Sequence, residues 1–180
     1  VLQALARNAA RDLSRPDATA PGAVVWDRDG FAALGAETQS RLAAAAVMAV
    51  TAATYRPRLE PLLEAVNRAM SGGAAVLAGA IIVPQRGRLF IAREPMAVGS
   101  AVDVAGPACR WDTGWRLEGH DINGLTVRAL GEAGLGLIPD KPQSRAPRHI
   151  LASLPAVWDG ATLVAFAPLR FGAPHSIIPP

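Results

Sequence analysis

The sequence predicts an α+β fold: a helical subdomain over residues 1–72, then a small, mostly antiparallel β subdomain over 73–180 that holds one or two helices. Three observations point there. Before residue 72, apolar residues recur at three-to-four spacing in the stretches 1–13, 37–54 and 59–70, the pattern of helices with one buried stripe. After residue 73 the apolar runs are short and separated by turns containing Gly, Pro or Asp, as hairpin strands require. The exception is 144–158, where Ile150, Leu151, Leu154 and Val157 return to helical spacing behind a Ser144 cap.

In the first helix Leu2, Leu5, Ala9 and Leu13 share a stripe, with Arg7, Arg11 and Asp12 off it. Residues 15–22, with two Pro and one Gly, form a loop, and 23–26 make a short extended run. Asp27 to Gly30 then turns the chain; Asp27 and Asp29 lack the further oxygen ligands and distal Glu of a calcium loop. The Ala-rich stretch 37–54 packs Leu42, Ala46, Val50 and Ala53 inward. Tyr55-Arg56-Pro57-Arg58 breaks it, because the residue before Pro resists the α region. The helix over 59–70 follows, with Leu62, Leu63, Val66 and Met70 on one face, giving an αα-hairpin. Arg56 and Arg58 either pair with Glu60 and Glu64 or meet phosphate.

Two apolar runs, 75–84 and 88–92, flank Gln85-Arg86-Gly87 and read as a hairpin closed by Arg93-Glu94-Pro95. Residues 99–107 read as loop, with Val102 and Val104 able to add an edge strand. A tighter hairpin spans 110–117, with Asp112-Thr113-Gly114 at its tip and Trp111 and Trp115 on its flanks. Its Arg110, Arg116 and tryptophans could hold phosphates and stack bases, or the tryptophans could only cover a small sheet.

The chain is organised around 125–169. Leu125, Val127 and Ala129 alternate with Thr126, Arg128 and Leu130, a strand with Arg128 on one face. Gly131, Gly134 and Gly136 read as a turn: their GxxGxG spacing reverses the dinucleotide fingerprint and lacks its βαβ setting. After the 144–158 helix, ended or kinked by Pro155, Asp159-Gly160 turns the chain into a last strand over 162–166. The tail 173–180, with three Pro, is expected to be disordered or loosely docked.

Bulk properties narrow the function. An apolar fraction of 51% in 180 residues supplies a core, and no apolar run reaches the 18 residues of a membrane span; 42–50 comes nearest. Nothing resembles a signal peptide, so a cytoplasmic location is expected, and the start on Val1 within a helix reads as a fragment of a larger protein. The single Cys109 rules out a disulfide framework and reads as a buried small hydrophobe. His120, His149 and His175 lack metal-ligand spacing, and no nucleophile, base or carboxylate pair stands out, so no catalytic centre is expected here. Of eighteen basic residues only Lys141 is a lysine. Arginine's planar fork suits phosphate, although an Ala-, Gly- and Arg-rich composition also follows from a GC-rich genome.

Several short motifs occur together in order: Glu37-x-Gln39-x-Arg41-Leu42, Tyr55-Arg56-Pro57-Arg58, a Leu77-Ala78-Gly79-Ala80 strand, Arg93-Glu94-Pro95, Trp111-Asp112 with Trp115, Val127-Arg128-Ala129-Leu130-Gly131, and Leu154-Pro155-x-x-Trp158-x-Gly160. In this the chain resembles the carboxy-terminal, non-catalytic region of the bacterial tRNA-lysidine synthase family. Ser71-Gly72-Gly73 imitates the start of that family's SGGxDS phosphate loop, but Ala75 and Val76 replace its Asp and Ser, so it reads as a helix cap. The resemblance implies a parent ligase that uses ATP, with Mg, to adenylate the wobble cytidine of the minor isoleucine tRNA and substitutes lysine there. ATP and Mg would belong to a preceding catalytic domain, and no cofactor to this region. The minor isoleucine tRNA would be its partner, through Arg128 first, then Arg145 and Arg148, then Arg56 and Arg58. Many family members carry a basic helix after the Arg-x-Leu-Gly strand; 132–140 has no basic residue, which shifts weight to Arg145 and Arg148. The alternatives are a stand-alone RNA-binding module and a structural or oligomerisation domain, the Ala-rich helices allowing a homodimer.

Overall fold

The computed structural model describes residues 2–119, 122–139, 144–172 and 176–180, the first six of them as backbone only. The chain divides into two units, one of Val1–Asp17 and Ala23–Arg93, the other of Ala18–Gly22 and Glu94–Pro180. The α+β class holds, with six helices and three antiparallel sheets among the described residues.

In the first unit, α1 (Leu2–Leu13) leads to β1 (Val24–Asp27), the short α2 (Arg28–Ala32), α3 (Ala36–Thr51) and α4 (Leu59–Met70). Then come β2 (Ala75–Leu77), β3 (Ala80–Gln85) and β4 (Arg88–Arg93), giving a four-stranded sheet in the order β1-β4-β3-β2. Helices α3 and α4 lie on this sheet, burying Leu42, Ala43, Ala46 and Val47 with Leu62, Val66 and Ala69 against Ile82, Leu89 and Ile91. The Ala-rich face of α3 is thus spent inside its own unit. Trp26 and Phe31 stack, with centroids 5.5 Å apart, beside this core.

Three readings need correction here. The turn expected at 27–30 is the start of α2, where the Asp27 carboxylate accepts the Gly30 N–H at 2.7 Å and caps the helix. The run 75–84 is two strands, because Ala78 and Gly79 both take positive φ (51° and 80°) and make a two-residue hairpin turn, so the motif read as a 77–80 strand is that turn. The sheet of β2 to β4, assigned above to the subdomain after residue 72, groups with the helices that cover it. The helix over 59–70 and the Arg86-Gly87 turn fall where the periodicity put them.

The second unit holds a five-stranded sheet, β11-β10-β9-β8-β5, and a three-stranded one, β12-β7-β6. The strands are β5 (Val102–Asp103), β6 (Ala108–Trp111), β7 (Trp115–Glu118), β8 (Thr126–Ala129), β9 (Pro155–Asp159), β10 (Thr162–Phe166), β11 (Phe171–Gly172) and β12 (Ser176–Ile178). Helices α5 (Gly131–Leu137) and α6 (Arg148–Ser153) lie between β8 and β9 in sequence and pack on each other.

The expected turn at 131–136 is α5. Gly131 supplies the left-handed corner (φ 70°) that leaves β8, and Gly134 lets the helix approach the Trp158 ring, where a Cβ would stand 2.9 Å from two ring carbons. The helix expected over 144–158 shrinks to α6, because Pro155 cannot extend it and instead opens β9, which is buried from Pro155 to Trp158. The tail is not loose where it is described: Ser176, Ile177 and Ile178 pair with Glu118, Leu117 and Arg116 of β7. The residues 120–121, 140–143 and 173–175, which include His120, Lys141 and His175, lie outside the described residues.

Candidate nucleic-acid interface

Five of the seven candidate arginines fall in the second unit, and Arg128 is the most constrained. Register pairs Arg128 with Ala156 and Thr126 with Trp158, so Arg128 and Trp158 emerge on one face of the sheet, diagonal to each other. The Arg128 guanidinium carbon sits 3.9 Å from the centroid of the Trp158 ring, a cation–π contact, and its Nη2 makes a long hydrogen bond of 3.4 Å to the Gly160 carbonyl. Trp158 itself is only 3% exposed.

Arg148, the first residue of α6, is exposed and pairs with Glu132 of α5 at 3.0 Å. Both side chains are open to water, so this pair contributes little to stability. Arg145 is exposed and follows Ser144, whose hydroxyl accepts the Ala146 N–H at 3.0 Å and shares a 2.6 Å hydrogen bond with Thr19. These bonds order the segment before α6 and hold Arg145 near its start.

On the β6–β7 hairpin, Arg110 and Arg116 stand directly opposite each other and both are exposed, while Arg116 also pairs with Glu118. Arg110 lines an open cleft of about 620 Å³ between the hairpin tip and residues 99–102. The cleft is shaped by Asp112, which accepts the Gly99 N–H at 2.9 Å, and by Trp111, whose indole donates to the Ser100 carbonyl at 2.8 Å. The two tryptophans pair across the strands and are buried, at 2% and 5% exposure. Of the two readings left open, covering the sheet is the one realised; neither ring is presented for base stacking.

In the first unit, Arg56 and Arg58 are exposed in the corner between α3 and α4 and their side chains make no hydrogen bond or ion pair among the described residues, so the pairing with Glu60 and Glu64 is not formed. Beside them the ring of Tyr55 is 85% exposed, a feature its place before an Arg-Pro corner could have signalled. Trp158 was legible only as part of a motif, because its contact with Arg128 depends on the β8–β9 register.

Other chemistry is sparse. Among the described residues no group of three His, Cys, Asp or Glu could hold a metal ion. No described helix is long and apolar enough to cross a membrane. Cys109 is half-buried, and burial pushes its thiol pKa up.

Comparison with known proteins places these features in context. No protein-family model matches the chain, and no solved structure matches it. A tRNA(Ile)-lysidine synthase of Ruegeria pomeroyi is 37% identical over 161 residues, spanning 89% of this chain but 37% of that protein. The resemblance read from the short motifs is therefore borne out, and over most of its length the chain is homologous to one part of a tRNA(Ile)-lysidine synthase.

Proposed function

We propose that this chain is the tRNA-recognition region of a tRNA(Ile)-lysidine synthase, gripping the minor isoleucine tRNA while a separate catalytic domain of the parent ligase uses ATP, Mg and lysine to convert the wobble cytidine to lysidine. The parent relationship rests on the similarity over most of the chain. The observation that carries RNA recognition is the Arg110–Arg116 pair. Like charges directly opposite on a sheet are destabilising, and the Glu118 carboxylate reaches Arg116 and not Arg110, so two exposed arginines in that register are a poor choice for the hairpin alone. A phosphate brought between them relieves the repulsion and takes hydrogen bonds from both guanidinium forks. Arg128, Arg145 and Arg148 of the same unit, and Arg56 and Arg58 of the other, are the further proposed phosphate contacts. A cytoplasmic location follows from a tRNA substrate.

The test is binding of the chain to the unmodified minor isoleucine tRNA and to a control tRNA across a salt series. Affinity that falls with salt and favours the isoleucine tRNA supports the reading, and each phosphate-bound arginine adds about 0.7–0.9 to the slope of log affinity against log salt. Absence of binding at low salt refutes recognition by this region and leaves a structural or oligomeric role.

A further inference from the structure

The buried indole of Trp158 has no hydrogen-bond partner for its Nε1–H among the described residues. An unpaired donor in a closed site is destabilising, and a purely apolar side chain would occupy the sheet face without it. What tryptophan offers over phenylalanine is the stronger cation–π surface. That surface is in use, since the Arg128 guanidinium lies over it at 3.9 Å. The ring is also fixed from the helix side. Gly134 of α5 approaches so closely that an added Cβ would meet Trp158 Cη2 and Cζ2, each at 2.9 Å. The indole is thus in contact with both α5 and the guanidinium, and of the three the charged group is the half-exposed member.

We propose that Trp158 is a positioning residue, holding Arg128 flat so that the donors left after its bond to the Gly160 carbonyl clamp a phosphodiester oxygen of RNA. This deepens the RNA-recognition reading and rests on it. An arginine in water must give up rotamer freedom to bind, whereas one already stacked gives up less. The indole lies 3.9 Å from the guanidinium carbon and Nη2 reaches Gly160, so the ligand is proposed to meet the N–H groups that remain. Edge-on recognition by a planar fork suits a phosphate oxygen and carries no base preference.

The test uses the full chain carrying Arg128→Ala, Trp158→Phe and the double substitution, with affinity for the isoleucine tRNA transcript measured over a salt series. Arg128→Ala is expected to weaken binding about tenfold and to lower the salt slope by about 0.7–0.9. Trp158→Phe should weaken it about threefold, as a weaker cation–π surface requires, with a lower melting midpoint from the smaller ring and binding therefore measured well below that midpoint. The double variant should bind no worse than Arg128→Ala alone. A ring-current shift on the Arg128 side-chain protons, reduced in Trp158→Phe, is the matching spectroscopic signature. Wild-type affinity in Trp158→Phe, or a loss additive with that of Arg128→Ala, overturns the positioning role and leaves Arg128 as an RNA contact. Unchanged affinity in Arg128→Ala removes the RNA contact itself, and the positioning role with it. Weaker binding at an unchanged salt slope would mean a stacked base and overturn the phosphate assignment. Arg128→Lys, which leaves the core untouched, guards against misfolding of Trp158→Phe: it keeps the charge but not the flat stack, and wild-type affinity in it refutes the proposal.

Discussion

Helix α5 contains a matched pair of glycines that predict opposite outcomes for one substitution. At Gly134 an added Cβ would lie 2.8 Å from Leu130 Cδ1 and 2.9 Å from two ring carbons of Trp158, while at Gly136 nothing lies within 4 Å. Neither position needs positive φ. Gly→Ala in a helix interior gains up to about 1 kcal/mol from propensity, somewhat less in a last turn. Overpacking a closed site costs about 1–3 kcal/mol. Both clashing side chains at Gly134 are buried, so the upper half of that range applies, and Gly134→Ala should lose about 1–2 kcal/mol net. For a unit of this size that is a fall of several degrees in melting midpoint, at about 4–8 °C per kcal/mol. Gly136→Ala should instead hold the midpoint or raise it. Thermal melts followed by near-ultraviolet circular dichroism, which reports the tryptophan environment, provide the assay. Equal shifts in the two variants would refute the close approach of α5 to Trp158.

Three further outcomes test the rest of the molecule. Phe31→Ala removes a fully buried ring stacked on Trp26 and should cost about 3–5 kcal/mol in the first unit, read as a lower urea midpoint. Arg110→Thr replaces one of two facing arginines by a β-prone neutral residue; it should stabilise the hairpin by about 0.2–1 kcal/mol while weakening tRNA binding, a split that melts and salt-series binding check together. The Cys109 thiol, its pKa raised by burial, holds less thiolate than a free cysteine at any pH up to that pKa, so iodoacetamide should modify it more slowly at pH 8 than it does a model thiol.

Periodicity made much of the fold legible. Helix α4, the β3–β4 turn, the Trp111–Trp115 hairpin and strand β10 each follow from local pattern, because each has one buried face and a sequence-marked turn. The failures share a cause in tertiary contact. Gly131, Gly134 and Gly136 argue against a helix by propensity, yet α5 forms, with Gly134 against Trp158 where a Cβ would clash. Residues 155–158 are buried throughout, and a short continuous apolar run does not distinguish helix from strand. Ala78 takes a left-handed conformation that an alanine does not advertise. For the interface, residue type singled out the arginines, but which of them is stacked, ion-paired or facing another follows from strand register, which local pattern did not supply.

Strand β12 has a consequence for how the chain tolerates trimming. It occupies the outer hydrogen-bonding row of β7, turning what would be an isolated hairpin into a three-stranded sheet. A two-stranded hairpin is marginal in water, and a bare strand edge invites pairing with a neighbouring molecule. Cutting the chain before Ser176 would strip this cover from β7, loosening the hairpin that carries Arg110 and Arg116 and leaving a sticky seam. The last few residues, expected from their prolines to be disordered or loosely docked, act as a latch whose loss would surface first as aggregation.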